Sequence, residues 1–423
     1  MKTKKIIILA DDLTGANDTA IQFVKHGMSA LVVNHNWLSG SFDFHGHHTI
    51  SIDTDSRQMN GKEAYNVTRN LVRQLGTIEP EGLYYKKIDS VLRGNPGSEL
   101  SALMDELDIP LAIVAPSFPA NHSTVEQGIL KSGMSFSQTS IDAVKVFANN
   151  MDRKVAGIPL EKIREGHAKT AEFILTHQKD GAEVFVADSV IDEDLAIISR
   201  IPAEIKTPLV LAGSGALADQ MARNLSSGKK VNIKPVFSAS KKPVLVISGT
   251  RQGETAVQFT SLSEKTSVPI VGFNLDMIEK GESEKAILLA FEEASKSLKK
   301  NPGLCIVAVE SMLSSEIKTG HVVWGKTDDD LSHAISAAIG KLVVKLTNTF
   351  NFPVIFSTGG DTTLEICRSL SVRGIEPLAE ILPGIPVGKI MGEKHENRYL
   401  ISKSGRFGDK DTLIKIKEYL EEL

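Results

Sequence analysis

Lys5-Ile6-Ile7-Ile8-Leu9-Ala10-Asp11-Asp12-Leu13-Thr14-Gly15-Ala16-Asn17-Asp18 is the stretch on which the reading of the fold turns. The apolar, largely β-branched run Ile6–Ala10 has the character of a strand buried on both faces. It stops abruptly at two carboxylates. From Gly15 to His26, apolar Ala16, Ala20, Phe23 and Val24 recur at helical spacing, and Gly27 stands where a C′ glycine belongs. Strand, acidic turn, helix is the first step of an α/β fold. The run is shorter than the roughly 7–15 apolar residues of a signal peptide, and no run approaches the roughly 18 of a spanning helix. The expectation is a cytoplasmic protein with no membrane partner.

The same alternation continues along the chain. Apolar runs at Ala30–Val33, Thr49–Ile52, Leu83–Ile88, Leu111–Ala115, Val184–Ala187 and Leu209–Ala212 are followed by a second series at Val244–Ser248, Ile270–Phe273, Cys305–Val309, Val354–Ser357 and Val387–Ile390. Helical patterns lie between them. The polar, small-residue stretch Gly228–Lys242 has linker chemistry. The predicted architecture is α/β with two domains, 1–235 and 236–423, each a mostly parallel sheet flanked by helices. The active site is expected in the cleft between them. Gln127–Pro159 is less regular and reads as a flap or small insertion.

Composition narrows the function. Lys+Arg 48 against Asp+Glu 52 gives a net charge of −4, which argues against a general nucleic-acid binder but leaves room for a local anion site. Two cysteines, Cys305 and Cys367, are too few for a disulfide framework or a Cys-rich zinc site and read as reduced core residues. Aromatics at 5% offer little for base stacking.

Four constellations fall at strand ends, where ligands of open α/β sheets bind. Asp11, Asp12 and Asp18 flank the first turn. Carboxylates there can bond a polyol, accept a hydroxyl proton or hold Mg²⁺; helix capping is the plainer alternative, although Thr14 or Asn17 could cap instead. Asp53-Thr54-Asp55-Ser56-Arg57 offers a guanidinium for a substrate carboxylate, or a loop salt bridge. Lys86-Lys87-Ile88-Asp89-Ser90-Val91-Leu92-Arg93-Gly94 concentrates cations at a turn, as an anion site would. Ser357-Thr358-Gly359-Gly360-Asp361-Thr362 joins a strand to a helix so that backbone N–H groups can approach phosphates, with Asp361 and Thr362 placed for Mg²⁺ or terminal phosphate oxygens. Ser248-Gly249-Thr250 and Lys403-Ser404-Gly405-Arg406-Phe407-Gly408-Asp409 supply two more glycine turns, a set suited to a nucleotide.

Other motifs carry less. His45-Gly46-His47-His48 matches no tetrahedral metal template. Ser214 in Ala212-Gly213-Ser214-Gly215 lacks the frame of a nucleophile elbow. There is no Walker A motif, and no Gly-x-Gly-x-x-Gly follows the first strand, which disfavours a dinucleotide oxidoreductase.

Five ordered motifs, at 10–18, 87–95, 115–119, 358–362 and 403–409, resemble the signatures of the four-carbon acid-sugar kinase family over roughly positions 5 to 417. The resemblance implies a sugar-acid-binding N-terminal domain, an ATP-binding C-terminal domain, and ATP and Mg²⁺ as cofactors. It implies that Asp11, Asp12, Arg57, Lys87, Ile88, Asp89 and Ser90 meet the acid, with Arg93 supporting its carboxylate, and that Ser248, Gly359, Gly360, Asp361, Thr362 and Gly405 meet ATP. The chain departs from the pattern at Val91, Asn121-His122 and Arg406. The expected reaction is phosphorylation of the terminal 4-hydroxyl of a C4 sugar acid, D-threonate first, with D-erythronate and 3-oxo-tetronate as alternatives. Asp12 and Asp361 are the two candidate bases, and Asp361 the tentative Mg²⁺ ligand. A homodimer is the expected assembly. A non-catalytic sugar-acid sensor is the reading from a different class.

Overall fold

The computed structural model describes residues 4–38, 44, 46–133, 139–226, 243–250, 253–310, 329–392, 398–405 and 407–422. The inferred linker Gly228–Lys242, His45 and Arg406 lie outside them. The chain divides into two compact units, Met1–Asn232 and Ile233–Leu423.

The first unit opens with β1 (Ile6–Ala10), α1 (Leu13–Lys25), β2 (Ala30–Asn34) and β3 (Thr49–Asp53), then α2 (Gly61–Ile78), β4 (Leu83–Lys87), α3 (Pro96–Glu106) and β5 (Leu111–Ala115). Three short strands, β6 (Ser123–Glu126), β7 (Ile129–Ser132) and β8 (Thr139–Asp142), pair antiparallel as a small separate sheet. β7 and β8 lie in the first half of the irregular Gln127–Pro159 segment, and β6 immediately precedes it. α4 (Ala143–Asn149), β9 (Val155–Ile158), α5 (Leu160–Arg164), α6 (His167–Lys179), β10 (Val184–Ala187), α7 (Asp192–Ile198), β11 (Leu209–Gly213) and α8 (Gly215–Leu225) complete the unit.

The main sheet of this unit runs β2-β3-β1-β4-β11-β5-β10-β9, and every pairing within it is parallel. β1 is entirely buried, as its unbroken apolar run predicts. From β1 the chain builds β2 and β3 on one side, then crosses to β4 on the other. The ends of β1 and β4 therefore flank a topological switch point, the crevice where parallel sheets take ligands.

The second unit repeats the plan. β12 (Val244–Ser248), α9 (Gly253–Thr266), β13 (Ile270–Phe273), α10 (Leu275–Glu279), α11 (Ser283–Lys300) and β14 (Leu304–Val309) precede α12 (Asp329–Thr349), β15 (Val354–Thr358) and α13 (Gly360–Ser369). β16 (Gly374–Leu382), β17 (Ile385–Met391), β18 (Tyr399–Lys403) and α14 (Thr412–Glu421) close it. The order is β13-β14-β12-β15-β18-β17-β16. The first five strands are parallel, and β17 pairs antiparallel with both β18 and β16. Here the switch point lies between β12 and β15. Cys305 and Cys367 are free and buried, as expected of core residues. Among the described residues no helix is long and apolar enough to cross a membrane.

Gly213 shows how tightly the first sheet is closed. A Cβ there would stand 2.5 Å from the Ala115 carbonyl oxygen, 2.7 Å from Leu217 Cδ2 and 3.0 Å from the Tyr85 hydroxyl. Backbone and core atoms cannot yield cheaply. Gly213→Ala should therefore cost about 1–3 kcal/mol, as overpacking does. A urea midpoint unchanged from wild type, with unchanged slope, would show that the sheet relaxes instead.

Candidate active site

Four segments converge at the switch point of the first unit. Asp12 is the N-cap of α1 in extended conformation, and its Oδ1 accepts the Gly15 N–H at 2.8 Å. The capping alternative read for these aspartates is realised by Asp12 rather than by Thr14 or Asn17, and the Thr14 hydroxyl donates to Asp12 Oδ2 at 2.5 Å. The helix starts at Leu13, two residues ahead of the periodic pattern.

Arg57 reaches across from the loop after β3. Its Nε and Nη2 donate to Asp11 Oδ2 and Oδ1 at 2.7 and 2.8 Å, a bidentate fork, and its Nη1 donates to Asp12 Oδ2 at 2.6 Å. The salt-bridge alternative for Arg57 is thus realised, with Asp11 and Asp12 as its acids. Burial raises the Asp11 carboxyl, but the Arg57 charge and hydrogen bonds overcome it, leaving the group below its usual range.

Asp89 forms the second knot. It accepts Arg93 Nε and Nη2 at 3.0 and 2.6 Å and the Val91 and Arg93 backbone N–H groups at 3.2 Å each. Arg57 Nη2 stands 3.8 Å away, which joins the two knots. Burial pushes Asp89 up, yet the Arg93 and Arg57 cations hold it well below the ordinary carboxylate range. Neither arginine is idle: both neutralise protein carboxylates.

The paired lysines of β4 differ. Lys86, read from sequence as part of an anion site, is fully buried. It donates to Glu99 Oε2 at 2.7 Å, the Lys87 carbonyl at 2.8 Å and the Leu9 carbonyl at 3.1 Å. Glu99 Oε1 in turn accepts the Ser56 hydroxyl at 2.7 Å. Burial raises the Glu99 carboxyl despite its contact with Lys86. Lys86 braces the site from below and does not face a ligand. The Lys87 ammonium, by contrast, makes one hydrogen bond among the described residues, to the Ile88 carbonyl at 3.0 Å. A Cβ added to Gly15 would sit 2.6 Å from Asp12 Oδ1 and 3.2 Å from Lys87 Nζ. The glycine is thus the gap between that carboxylate and that ammonium.

The other sequence candidates take supporting places. Asp53 is buried, accepts the Asn34 amide at 2.8 Å, and burial with Asp55 nearby raises its carboxyl well above the usual value. The Ile88 N–H donates to the Gly213 carbonyl at 2.9 Å. The Ser90 carbonyl accepts the Ser123 hydroxyl at 2.7 Å, which ties its turn to the loop after β5. In that loop His122 is left-handed, with φ 55°. Ser214 caps α8 and donates to the Ser117 carbonyl at 2.5 Å, so it serves a structural turn.

In the second unit the three glycine turns follow β12, β15 and β18, which are neighbours in that order. Ser248 Oγ accepts the Thr250 N–H at 3.2 Å. A Cβ on Gly249 would meet Thr362 Oγ1 at 2.6 Å, and Gly359, the N-cap of α13, has φ 102°. The Gly359 N–H donates to the Lys403 carbonyl at 2.9 Å, and the Gly405 carbonyl accepts the Thr255 hydroxyl at 2.8 Å. Asp361 is exposed in the first turn of α13, where the helix dipole favours negative charge. Glu99 escaped the sequence reading as part of the first site, and Lys403, quoted there within its glycine turn, was given no role of its own. The available signal was a lysine at the end of an otherwise apolar strand, which must find acceptors.

Comparison with known proteins matches this division. A family model described as a sugar-binding N-terminal domain covers residues 6–221, and one described as a nucleotide-binding C-terminal domain covers 245–413. The chain belongs to the four-carbon acid-sugar kinase family. It is a phosphotransferase. Its relatives include a D-threonate kinase of Salmonella typhimurium, 24% identical over 99% of both chains. A D-erythronate kinase of Heliobacterium modesticaldum is 26% identical over 98% of this chain and 97% of the relative. A 3-oxo-tetronate kinase of Haemophilus influenzae is 26% identical over 96% and 97%. Crystal structures of a Salmonella typhimurium protein (TM-score 0.74, 98% of both chains) and a Haemophilus influenzae protein (TM-score 0.68, 99% of this chain and 100% of that one), each 23% identical, share the fold.

The Asp89 knot has a consequence for acid stability. Its folded pKa lies below the unfolded value of about 3.9, so the unfolded chain takes up the proton first. The knot's stabilisation is complete above that value and is lost as pH falls through the folded one. Wild type should lose more stability between pH 5 and 3 than Asp89→Asn, as read by urea midpoints. Parallel losses in the two proteins would contradict this.

Proposed function

We propose that the chain transfers the terminal phosphoryl group of ATP to the 4-hydroxyl of D-threonate. The observation that carries the reading is the pairing of Lys87 with Asp12 across Gly15 at the first switch point. Arg57 and Arg93 are charge-paired with Asp11, Asp12 and Asp89, whereas the Lys87 ammonium has no carboxylate partner among the described residues and is the cation assigned to a substrate carboxylate. Asp12 accepts three hydrogen bonds, from Arg57, Thr14 and Gly15. A carboxylate offers about four lone-pair sites, so one remains, on Oδ1. That oxygen takes the hydroxyl proton as the O4–phosphorus bond forms and the bond from phosphorus to the bridging oxygen of ADP breaks.

The chain's contribution is positioning and charge. The glycine turns at Ser248–Gly249, Gly359–Gly360 and Gly405 let backbone donors approach the phosphates. A Cβ at Gly249 would collide with Thr362 Oγ1 at 2.6 Å and Ile339 Cδ1 at 2.8 Å, so this close approach of two turns needs glycine. Mg²⁺, when bound with the nucleotide, neutralises phosphate charge. Among the described residues no group of three or more His, Cys, Asp or Glu could hold a metal alone, which fits an ion carried in by the nucleotide and touched by Asp361 and Thr362.

D-threonate is taken first because the Asp89-Ser90-Val91-Leu92-Arg93-Gly94-Asn95 turn resembles that of the threonate and erythronate branch, and relatives named D-threonate kinase match the full chain, alongside a D-erythronate kinase. ADP release should be measured with ATP and Mg²⁺ across D-threonate, D-erythronate and a 3-oxo-tetronate. The highest kcat/KM is expected with D-threonate. A higher value for another acid would transfer the assignment to it, and no ADP with any acid would point to a non-catalytic sensor. Asp12→Asn should lower kcat at least about 10²-fold, the contribution of a general base. Retention of more than a tenth of wild-type turnover would remove Asp12 from that role and leave Asp361 as the candidate.

A further inference from the structure

Lys403 ends β18 and is fully buried. Its Nζ donates to the carbonyls of Ser404, Phe407 and Gly405 at 2.8, 3.2 and 3.4 Å. Two side chains of α9 reinforce the pattern: Thr255 Oγ1 donates to the Gly405 carbonyl at 2.8 Å, and Gln258 Nε2 to the Phe407 carbonyl at 3.0 Å. The turn after β18 thus has its carbonyls drawn inward by two elements of the same unit. No carboxylate lies within salt-bridge distance of Lys403 among the described residues.

A planar trans peptide points its C=O and N–H in opposite directions. With the Ser404 and Phe407 carbonyls turned towards Lys403, the N–H groups of the next residues, Gly405 and Gly408, face away from it. Neither of these amides donates to a described residue. Gly408 has φ +84°, and a Cβ there would meet Thr412 Oγ1 at 2.1 Å, so this backbone path needs glycine. The turn also abuts the Gly359 turn, whose N–H donates to the Lys403 carbonyl at 2.9 Å.

We propose that Lys403 is a positioning residue for the nucleotide: its ammonium holds the carbonyls of Ser404, Gly405 and Phe407 inward, so that the Gly405 and Gly408 amides are presented outward as phosphate donors beside the Gly359–Gly360 turn. The Phe407 N–H between them donates to the Ser404 carbonyl at 3.1 Å, so the two glycine amides are the donors this turn offers an anion among the described residues. The inference rests on the nucleotide reading of this unit and adds the group that gives the turn its polarity. Burial lowers Lys403 to about 7, with Glu254 opposing weakly. An ammonium kept at that cost, with carbonyls as its acceptors, fits a role in shaping the backbone better than a role in stabilising the core.

Calorimetric titration of the full chain with ATP, and separately with D-threonate, tests this. Lys403→Met keeps the length of the side chain and removes the donors. ATP affinity should fall at least tenfold while acid-sugar affinity stays within twofold. Selectively ¹⁵N-glycine-labelled wild type should show ATP-induced shifts of the Gly405 and Gly408 amides, and these should be lost in the variant. A folded Lys403→Met protein that binds ATP as wild type does would overturn the inference. If that variant does not fold, Thr255→Val decides: removing one inward hold on the Gly405 carbonyl should weaken ATP about two- to fivefold, and unchanged affinity would overturn the proposal. Wild type that bound no ATP would instead overturn the nucleotide reading itself.

Discussion

Lys86 carries its charge to a place that water does not reach, and the first unit is organised around satisfying it. The ammonium takes the Leu9 carbonyl from β1, the Lys87 carbonyl from β4 and the Glu99 carboxylate from α3. Glu99 passes the constraint to Ser56, Ser56 shares a 2.7 Å hydrogen bond with Thr54, and the Thr54 backbone N–H donates to the Ala10 carbonyl at 2.8 Å. Two strand ends, one helix start and the loop after β3 are thereby fixed against one another. Arg57, the residue after Ser56, is delivered to Asp11 and Asp12 as a result. Removing one member of a buried pair of this kind costs about 3–5 kcal/mol, because the other charge is left uncompensated. The surface chemistry of the switch point therefore rests on an ion pair that no ligand touches.

How much of this can be read from sequence depends on the range of the interactions. Strands such as Ile6–Ala10 and Leu111–Ala115 announce themselves, since continuous apolar runs have few alternatives to a covered parallel sheet. β16 and β18 do not: Gly374–Leu382 includes Pro377 and two glutamates, and Tyr399–Lys403 ends in a charge that is buried only because of the turn after it. The candidate acids and bases were legible as types at strand ends. Their partners were not. Asp11 and Arg57 are separated by 46 positions, Lys86 and Glu99 by a turn and the start of a helix, and nothing local distinguishes a guanidinium that awaits a ligand from one already forked onto a protein carboxylate.

The two units solve one problem with different materials. Each places glycine turns at a switch point and buries a lysine at the end of a strand beside it. In the first unit the lysine has a carboxylate, and the result is a rigid floor. In the second, the acceptors of Lys403 among the described residues are backbone carbonyls, and burial lowers it to about 7. An ion pair with Glu99 fixes elements relative to one another. A set of carbonyl acceptors fixes peptide planes, and peptide planes determine where N–H donors point.

Charge accounting at the first switch point then narrows the proposed recognition of the acid. An anionic substrate must meet a cation that the protein has not already neutralised, or leave its own carboxylate desolvated without a partner. Arg57 serves two aspartates and Arg93 a third. These carboxylates are kept ionised and oriented as hydrogen-bond acceptors, which suits the hydroxyls of a polyol and repels its carboxylate. Lys87, on the other side of Gly15, is the complement. The proposed reading lays a C4 acid across that glycine, with its carboxylate end towards the ammonium and its hydroxyls towards the aspartates. Discrimination between epimers then comes down to which acceptor each hydroxyl reaches, a difference of one or two hydrogen bonds on an otherwise common frame.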